Sequence, residues 1–354
     1  MRARKHLKKL IRIQPNNEER RRYLRLDLNE NISGLPNKFI KDVIHKIDAS
    51  FLSTYPHYKE LQNKIASRSG LKKNNICLTN GSDAAIQYVF EAFVCPGDKI
   101  ILTDPCFAMY HVYAQIFQAR KIVIPYNSNL EFPSEKFLNV MRRGIKLAVI
   151  VNPNNPAGSA LSPEILKTIA EKARRNGIIL LVDEAYFYFY PKSALSLLSR
   201  FDNIIVLRTF SKLCGMACAR IGYAAASKNM IKSLEKVKPT YDVNAFGVLF
   251  ATALIDKPWV LDKMIKEFKA GKKFLNNSLR QAGVDLIETK ANFTLIRCSR
   301  NVSKIIKKLR DHKILVAGNF AHKALKDCIR VTIGAPRFMK RFVDVFMPIW
   351  NDVQ

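Results

Sequence analysis

The sequence has no long hydrophobic run. No apolar stretch approaches the roughly 20 residues that a bilayer-spanning helix needs, which excludes a protein threaded through a membrane by helices. It also lacks cysteine pairs at redox or metal spacing. Its seven cysteines (Cys77, Cys95, Cys106, Cys214, Cys218, Cys298 and Cys328) are odd in number, include no C-x-x-C, and several sit inside apolar runs. Reduced thiols in a cytoplasm are the expected state, and no metal site is expected. Acidic residues are scarce, with 29 Asp and Glu against 59 Lys and Arg, for a formal charge of +30. Such a balance is found in nucleic-acid binders, but no aromatic recognition run or zinc-finger spacing accompanies it. Solvated lysine-rich helix faces and anionic small ligands are the expected reading, with no nucleic-acid partner. The basic N-terminus has no apolar stretch or small-residue cleavage site, so no secretory signal is expected. Internal repeats and low-complexity tracts are also missing.

What is present is an alternation. From about residue 76 to 226, apolar β-rich runs take turns with helical patterns, as in a domain built on a mainly parallel sheet. The strand candidates are "KIILTD", "KLAVIVNPNN", "GIILLVDEAY", "NIIVLRTFSK" and "ARIGYAAA". They are continuously apolar, which suits strands covered on both faces. Between two of them, "SPEILKTIAEKARRNG" reads as a helix capped by Ser162, started by Pro163 and ended by Gly177. After about residue 255 a lysine-rich helix leads into "GVDLIET", "NFTLIRC" and "CIRVTIG". The expected division is an N-terminal arm over 1–40 that joins the small domain, a large α/β domain over 41–255, and a smaller α+β domain over 256–354.

The strand ends carry the chemistry. Ligands of parallel α/β sheets bind outside the carboxyl ends of the strands. Those ends here bring Asp104, Asn152 to Asn155, Asp183 with Tyr186, and Ser211 with Lys212. A lysine and an aspartate in one cleft admit two readings. One is a structural ion pair. The other is a pyridoxal phosphate site, in which the amine takes the aldehyde and the acid keeps the ring nitrogen protonated. Such a site also needs a phosphate cradle, donors for the ring hydroxyl and an aromatic cover. "NGSD", with Gly81 and Ser82 opening a helical pattern, offers free backbone N–H groups to a dianion, which Ser211 and Arg220 can reinforce. "NPNNPAG" places Asn155 on an irregular turn, and "DPCFAMY" places Tyr110 on a short helix. Each of these alone has an ordinary structural explanation as a cap, a turn or a core aromatic.

In combination and order, "NGSD", "PxFxMY", "NPNNPAG", "DEAY" and "TFSK" with an arginine eight residues on resemble the fold-type I pyridoxal-phosphate enzymes. The resemblance is strongest to the histidinol-phosphate aminotransferase branch. "LDLNENISGLP", "YPHYKELQNKIA" and "IRVTIG" extend it over residues 25 to 335. It implies a large domain with a mainly parallel seven-stranded sheet sandwiched by helices, plus a smaller α+β domain. It also implies that Lys212 forms the Schiff base, Asp183 pairs with the ring nitrogen, and Asn155 and Tyr186 hold the ring oxygen. Tyr110 would cover the ring face. Gly81, Ser82, Asp83, Thr209, Ser211 and Arg220 would surround the phosphate, with Tyr55 reaching the neighbouring site of a homodimer. Arg330 would clamp the substrate carboxylate, and Asn29 and Asn155 would complete the substrate site.

The implied activity is transamination of a small phosphorylated amino compound with a keto acid such as 2-oxoglutarate. The alternative is decarboxylation of serine or threonine phosphate. Three positions depart from the branch: Ala157 replaces a threonine, Ala84 a glutamate, and Pro15-Asn16 a Pro-Tyr pair.

Overall fold

The computed structural model describes residues 4–8, 10 and 19–353. The Pro15-Asn16 position lies outside them. In chain order the strands are β1 (Leu24–Leu26), β2 (Ile76–Thr79), β3 (Lys99–Asp104), β4 (Arg120–Pro125), β5 (Ile145–Val151) and β6 (Ile179–Asp183). They continue with β7 (Ile204–Thr209), β8 (Gly222–Ala226), β9 (Leu286–Glu288), β10 (Phe293–Arg297), β11 (Ile314–Val316) and β12 (Cys328–Thr332). Seven of them form one sheet in the order β2-β8-β7-β6-β5-β3-β4, in which only β8 runs against its neighbours. This is the mainly parallel seven-stranded sheet expected from the sequence.

The continuous apolar runs are explained by cover on both faces. Along β6, Leu180 and Val182 face one core, which also takes Ile150 and Val206. Leu181 faces the other, with Val149 and Leu207. Period-two alternation therefore sends every second residue to a different apolar layer, and no polar side is needed.

The helix Pro163–Arg175 starts and stops as its sequence signals. Ser162 Oγ accepts from the Ile165 N–H at 3.4 Å, Pro163 occupies the first turn, and Gly177 follows with φ +68°. Strands β2, β4, β1 and β11 were not among the sequence candidates. β4 lies at the sheet edge and carries Arg120 and Lys121, so its pattern is partly that of a solvated strand.

A second sheet, β12-β10-β9, is antiparallel, and β1 pairs in parallel with β11 beside it. Leu24 and Leu26 of β1 join the core of that region, together with Val331 and Phe342. The 24-residue helix Pro258–Gln281 connects the two regions. Val260 and Met264 pack in the large core, and Leu275 and Leu279 in the small one.

Candidate active site

The C-terminal ends of β5, β6 and β7 open on one cleft. Its walls bring together Ser82, Asp83, Phe107, Asn155, Asp183, Tyr186, Thr209, Ser211, Lys212 and Arg220. Register explains part of this convergence. Val151 pairs with Asp183, and Asp183 with Leu207, so β5 and β6 end level and β7 runs two residues further, to Thr209. The loops that follow must then leave the sheet at the same edge.

Asp183 is fully enclosed. Its Oδ2 accepts from the Tyr110 hydroxyl at 2.8 Å and its Oδ1 from the Ala185 N–H at 3.0 Å. Burial pushes its pKa up to about 6, while these two donors oppose the rise. The same burial raises the Tyr110 phenol well above its ordinary value. Beside Asp183, the buried Glu184 accepts from the Ala194 N–H and the Ser193 hydroxyl, and pairs with Arg208 at 2.9 Å. That pair ties the end of β6 to β7, while the Ser193 and Ala194 contacts tie it to the loop beyond. Sequence reasoning passed over it, although both residues stand in the "DEAY" and "LRTFSK" phrases.

Tyr110 requires a correction. It was expected to cover a ring face, but it is wholly buried and makes no part of the cleft wall; Phe107 takes that place. The cause is where the helix begins. Phe107 is the extended N-cap residue of the helix Ala108–Ile116, so its ring falls toward the cleft. Tyr110, nearly one turn on, points down to the sheet and to Asp183.

At the other end of the cleft lies an anion cradle. The helix Gly81–Phe93 has no side-chain cap on its first turn, leaving its N–H groups available. Thr209 Oγ1 and Ser211 Oγ are 2.9 Å apart, and Arg220 Nη1 reaches Ser211 Oγ at 3.5 Å. Arg220 also stands 3.8 Å from Asp83. Glycine is required in the cradle. Gly81 has φ +76°, and a Cβ there would lie 2.6 Å from Arg220 Nη2. A flat aromatic aldehyde with a phosphate tail fits this set. An acid stands at one end, a cationic cradle at the other, and a lysine borders the same space.

Lys212 Nζ donates to the Leu28 carbonyl at 3.1 Å and lies 5.7 Å above the Tyr186 ring. The segment 27–29 thus forms a roof. Asp27 contributes its carbonyl to Arg330 Nη2, and Asn29 Nδ2 donates to the Tyr186 hydroxyl at 2.8 Å. Asn152 and Asn154 hold the turn after β5 by accepting from the Leu161 and Ala157 N–H groups. Asn155, in contrast, faces the cleft, and its Oδ1 accepts from Arg330 Nη1.

Arg330, on β12, is buried and lies over the Phe293 ring at 5.3 Å. Its Nε has no partner, and burial lowers its pKa. A buried guanidinium with an unpartnered N–H is suited to an incoming anion. Tyr55 does not border the cleft. It is 72% exposed and stacks on Tyr241 at 4.1 Å, on the outer face.

The family model for aminotransferase class I and II matches residues 21–346. The histidinol-phosphate aminotransferase of Caldanaerobacter subterraneus subsp. tengcongensis is 32% identical over 315 residues, covering 88% of this chain and 88% of that protein. The enzyme of the same name from Pelagibacter ubique is 30% identical, over 94% and 93% of the two chains. Among solved structures, histidinol-phosphate aminotransferase from Sinorhizobium meliloti, in complex with pyridoxal-5'-phosphate, superposes with a TM-score of 0.89 at 21% identity. It covers all of this chain and 98% of its own. L-threonine-O-3-phosphate decarboxylase from Porphyromonas gingivalis shares the fold at a TM-score of 0.78 and 19% identity, over 92% and 99% of the two chains.

Proposed function

Because this chain belongs to the class I and II aminotransferases and works with pyridoxal phosphate, we propose that it transaminates a small phosphorylated amine of the histidinol-phosphate kind. The observation that carries the reading is the placement of Lys212 and Asp183 in the wall of one cleft, with the Thr209–Ser211–Arg220 cradle in the same wall. Relatives at about 30% identity over most of the chain support the substrate class. A keto acid such as 2-oxoglutarate would take up the amino group.

When bound, the cofactor supplies an aldehyde for the substrate amine and a protonated ring that withdraws electron density from the substrate Cα. Lys212 Nζ is the base that accepts the Cα proton. Asp183 holds the proton on the ring nitrogen, and Tyr110 and the Ala185 N–H fix the direction of its carboxylate. Asn155 and Tyr186 hold the ring oxygen, and Asn29 orients the Tyr186 hydroxyl. The first-turn N–H groups of Gly81, Ser82 and Asp83, with Thr209, Ser211 and Arg220, hold the phosphate. Phe107 shields the ring from water, and Arg330 receives the anionic end of the substrate or of the keto acid.

The same reading makes the protein a cytoplasmic homodimer, with Tyr55 reaching the neighbouring subunit's cradle. The exposed cluster of Leu52, Tyr55, Tyr241 and Phe246 supports it, because a second copy would cover these side chains. The chain divides into an arm over 1–40, a large domain over 41–255 and a small one over 256–354. The packing of β1 with the small core supports attaching the arm there.

The deciding experiment incubates the holoenzyme with histidinol phosphate, O-phosphoserine and O-phosphothreonine. Glutamate formation from 2-oxoglutarate and carbon dioxide release are measured together. Glutamate formed with histidinol phosphate, and lost in Lys212→Ala, supports the proposal. Carbon dioxide released without any keto acid replaces it with decarboxylation.

A further inference from the structure

Lys212 borders two cavities. One is the cleft just described. The other is a small cavity of about 20 Å³ whose wall includes Asn292, Ser33 and Glu267. One water requires ~10–15 Å³ and two or more polar partners, so this space admits a single molecule.

The polar partner is specific. Asn292 is 2% exposed, and its Nδ2 donates to the Asn29 carbonyl at 3.0 Å. Its Oδ1 is buried with no partner in the protein. An unmet buried acceptor is destabilising, and a water seated against it relieves that cost. Glu267 stands in the wall of this cavity and also in that of a wider one of about 220 Å³ beyond it, beside Lys263 and Arg337. Glu267 therefore borders both the space beside Lys212 and an outer polar one, with Ser33 and Met264 also shared by the two walls.

The geometry points to a proton path from Lys212 to solvent through one water and Glu267. The inference rests on Lys212 acting as the base of the proposed transamination. The Lys212 ammonium, having taken the Cα proton, hands one proton to a water held by Asn292 Oδ1 and the Ser33 hydroxyl. That water hands one proton to the Glu267 carboxylate. The resulting acid releases it to solvent in the outer cavity. One solvent proton returns along the same groups, so Lys212 is again an ammonium able to deliver a proton, the water is unchanged, and Glu267 returns to its anion. Glu267 and Asn292 touch neither substrate nor cofactor, and are positioning residues that act through Lys212. Without such a path, the proton on Lys212 returns to the reacting carbon unexchanged.

Two measurements test this. In the first, holoenzyme in deuterium oxide is given L-glutamate or histidinol phosphate without keto acid, and deuterium entering the substrate Cα is followed by mass spectrometry. Glu267→Gln is expected to slow exchange about tenfold relative to wild type, with Glu267→Asp recovering part of it and Ser33→Ala showing a smaller loss. Exchange unchanged in Glu267→Gln overturns the path while leaving transamination intact. Wild-type enzyme that forms glutamate from histidinol phosphate and 2-oxoglutarate yet exchanges neither compound also overturns the path, and wild-type enzyme that does neither overturns Lys212 as the base with it. The second measurement is independent of turnover. A high-resolution crystal structure of the holoenzyme is expected to show one water within hydrogen-bond distance of Asn292 Oδ1 and Ser33. A dry cavity overturns the path.

Discussion

At the scale of the residue, Asp183 stands out because its two oxygens accept from a neutral phenol and a backbone amide. Enclosure raises its pKa to about 6 in the ligand-free chain. The folded state then binds a proton that the unfolded state has lost from about pH 4 upward. Stability from this group is therefore present below the ordinary carboxylate range and falls as pH rises through 6, by roughly 3 kcal/mol in all. Thermal melts of the cofactor-free protein should show wild type losing stability between pH 4 and 7, and Asp183→Asn losing distinctly less. A cationic ring nitrogen placed against the carboxylate reverses the penalty, so saturation with cofactor should flatten the wild-type profile.

Lys212, Asp183 and Asn155 were legible in the sequence because each follows a buried strand, where the chain has to turn polar. The choice between Phe107 and Tyr110 was not. Both belong to one short phrase, and which faces the cleft depends on a helix start that no nearby cap residue marks.

At the scale of the element, the helix Gly81–Phe93 begins where β2 ends, and its first residue is the tightest point of the cradle. The left-handed conformation of Gly81 costs an alanine about 1–2 kcal/mol, and the new Cβ would press on the Arg220 guanidinium. Gly81→Ala should lower cofactor affinity by more than its fall in melting temperature accounts for, as measured by cofactor titration of the apoprotein beside calorimetry. The five strands read from the sequence for the large sheet were legible because two apolar layers demand uninterrupted runs. β2 and β4 were harder, the first being four residues long and the second half-solvated at an edge. The roof over Lys212 was beyond sequence reading in a stronger sense. Its donors and acceptors, such as Arg330 with Asp27 and Asn29 with Thr332, are 303 positions apart in the chain.

At the scale of the molecule, the exposed aromatic and aliphatic cluster around Tyr55 predicts association of two copies. Sedimentation should give a dimer, and Tyr55→Phe should weaken cofactor retention about tenfold without dissociating it. Mixing Tyr55→Phe with Lys212→Ala chains should restore one complete site per mixed dimer. The charge of +30 includes cations gathered where an anionic ligand would sit. Among them, Arg220 and Lys212 line the cleft, Arg330 reaches Asn155 in its wall, and Arg208 is held against Glu184.

The helix Pro258–Gln281 is rooted in both cores, since Val260 and Leu275 lie on one unbroken rod. Unfolding of either core therefore acts on a helix that the other core also holds. Calorimetry should therefore show the two halves unfolding in coupled rather than independent transitions, and a cut through the middle of this helix should destabilise both.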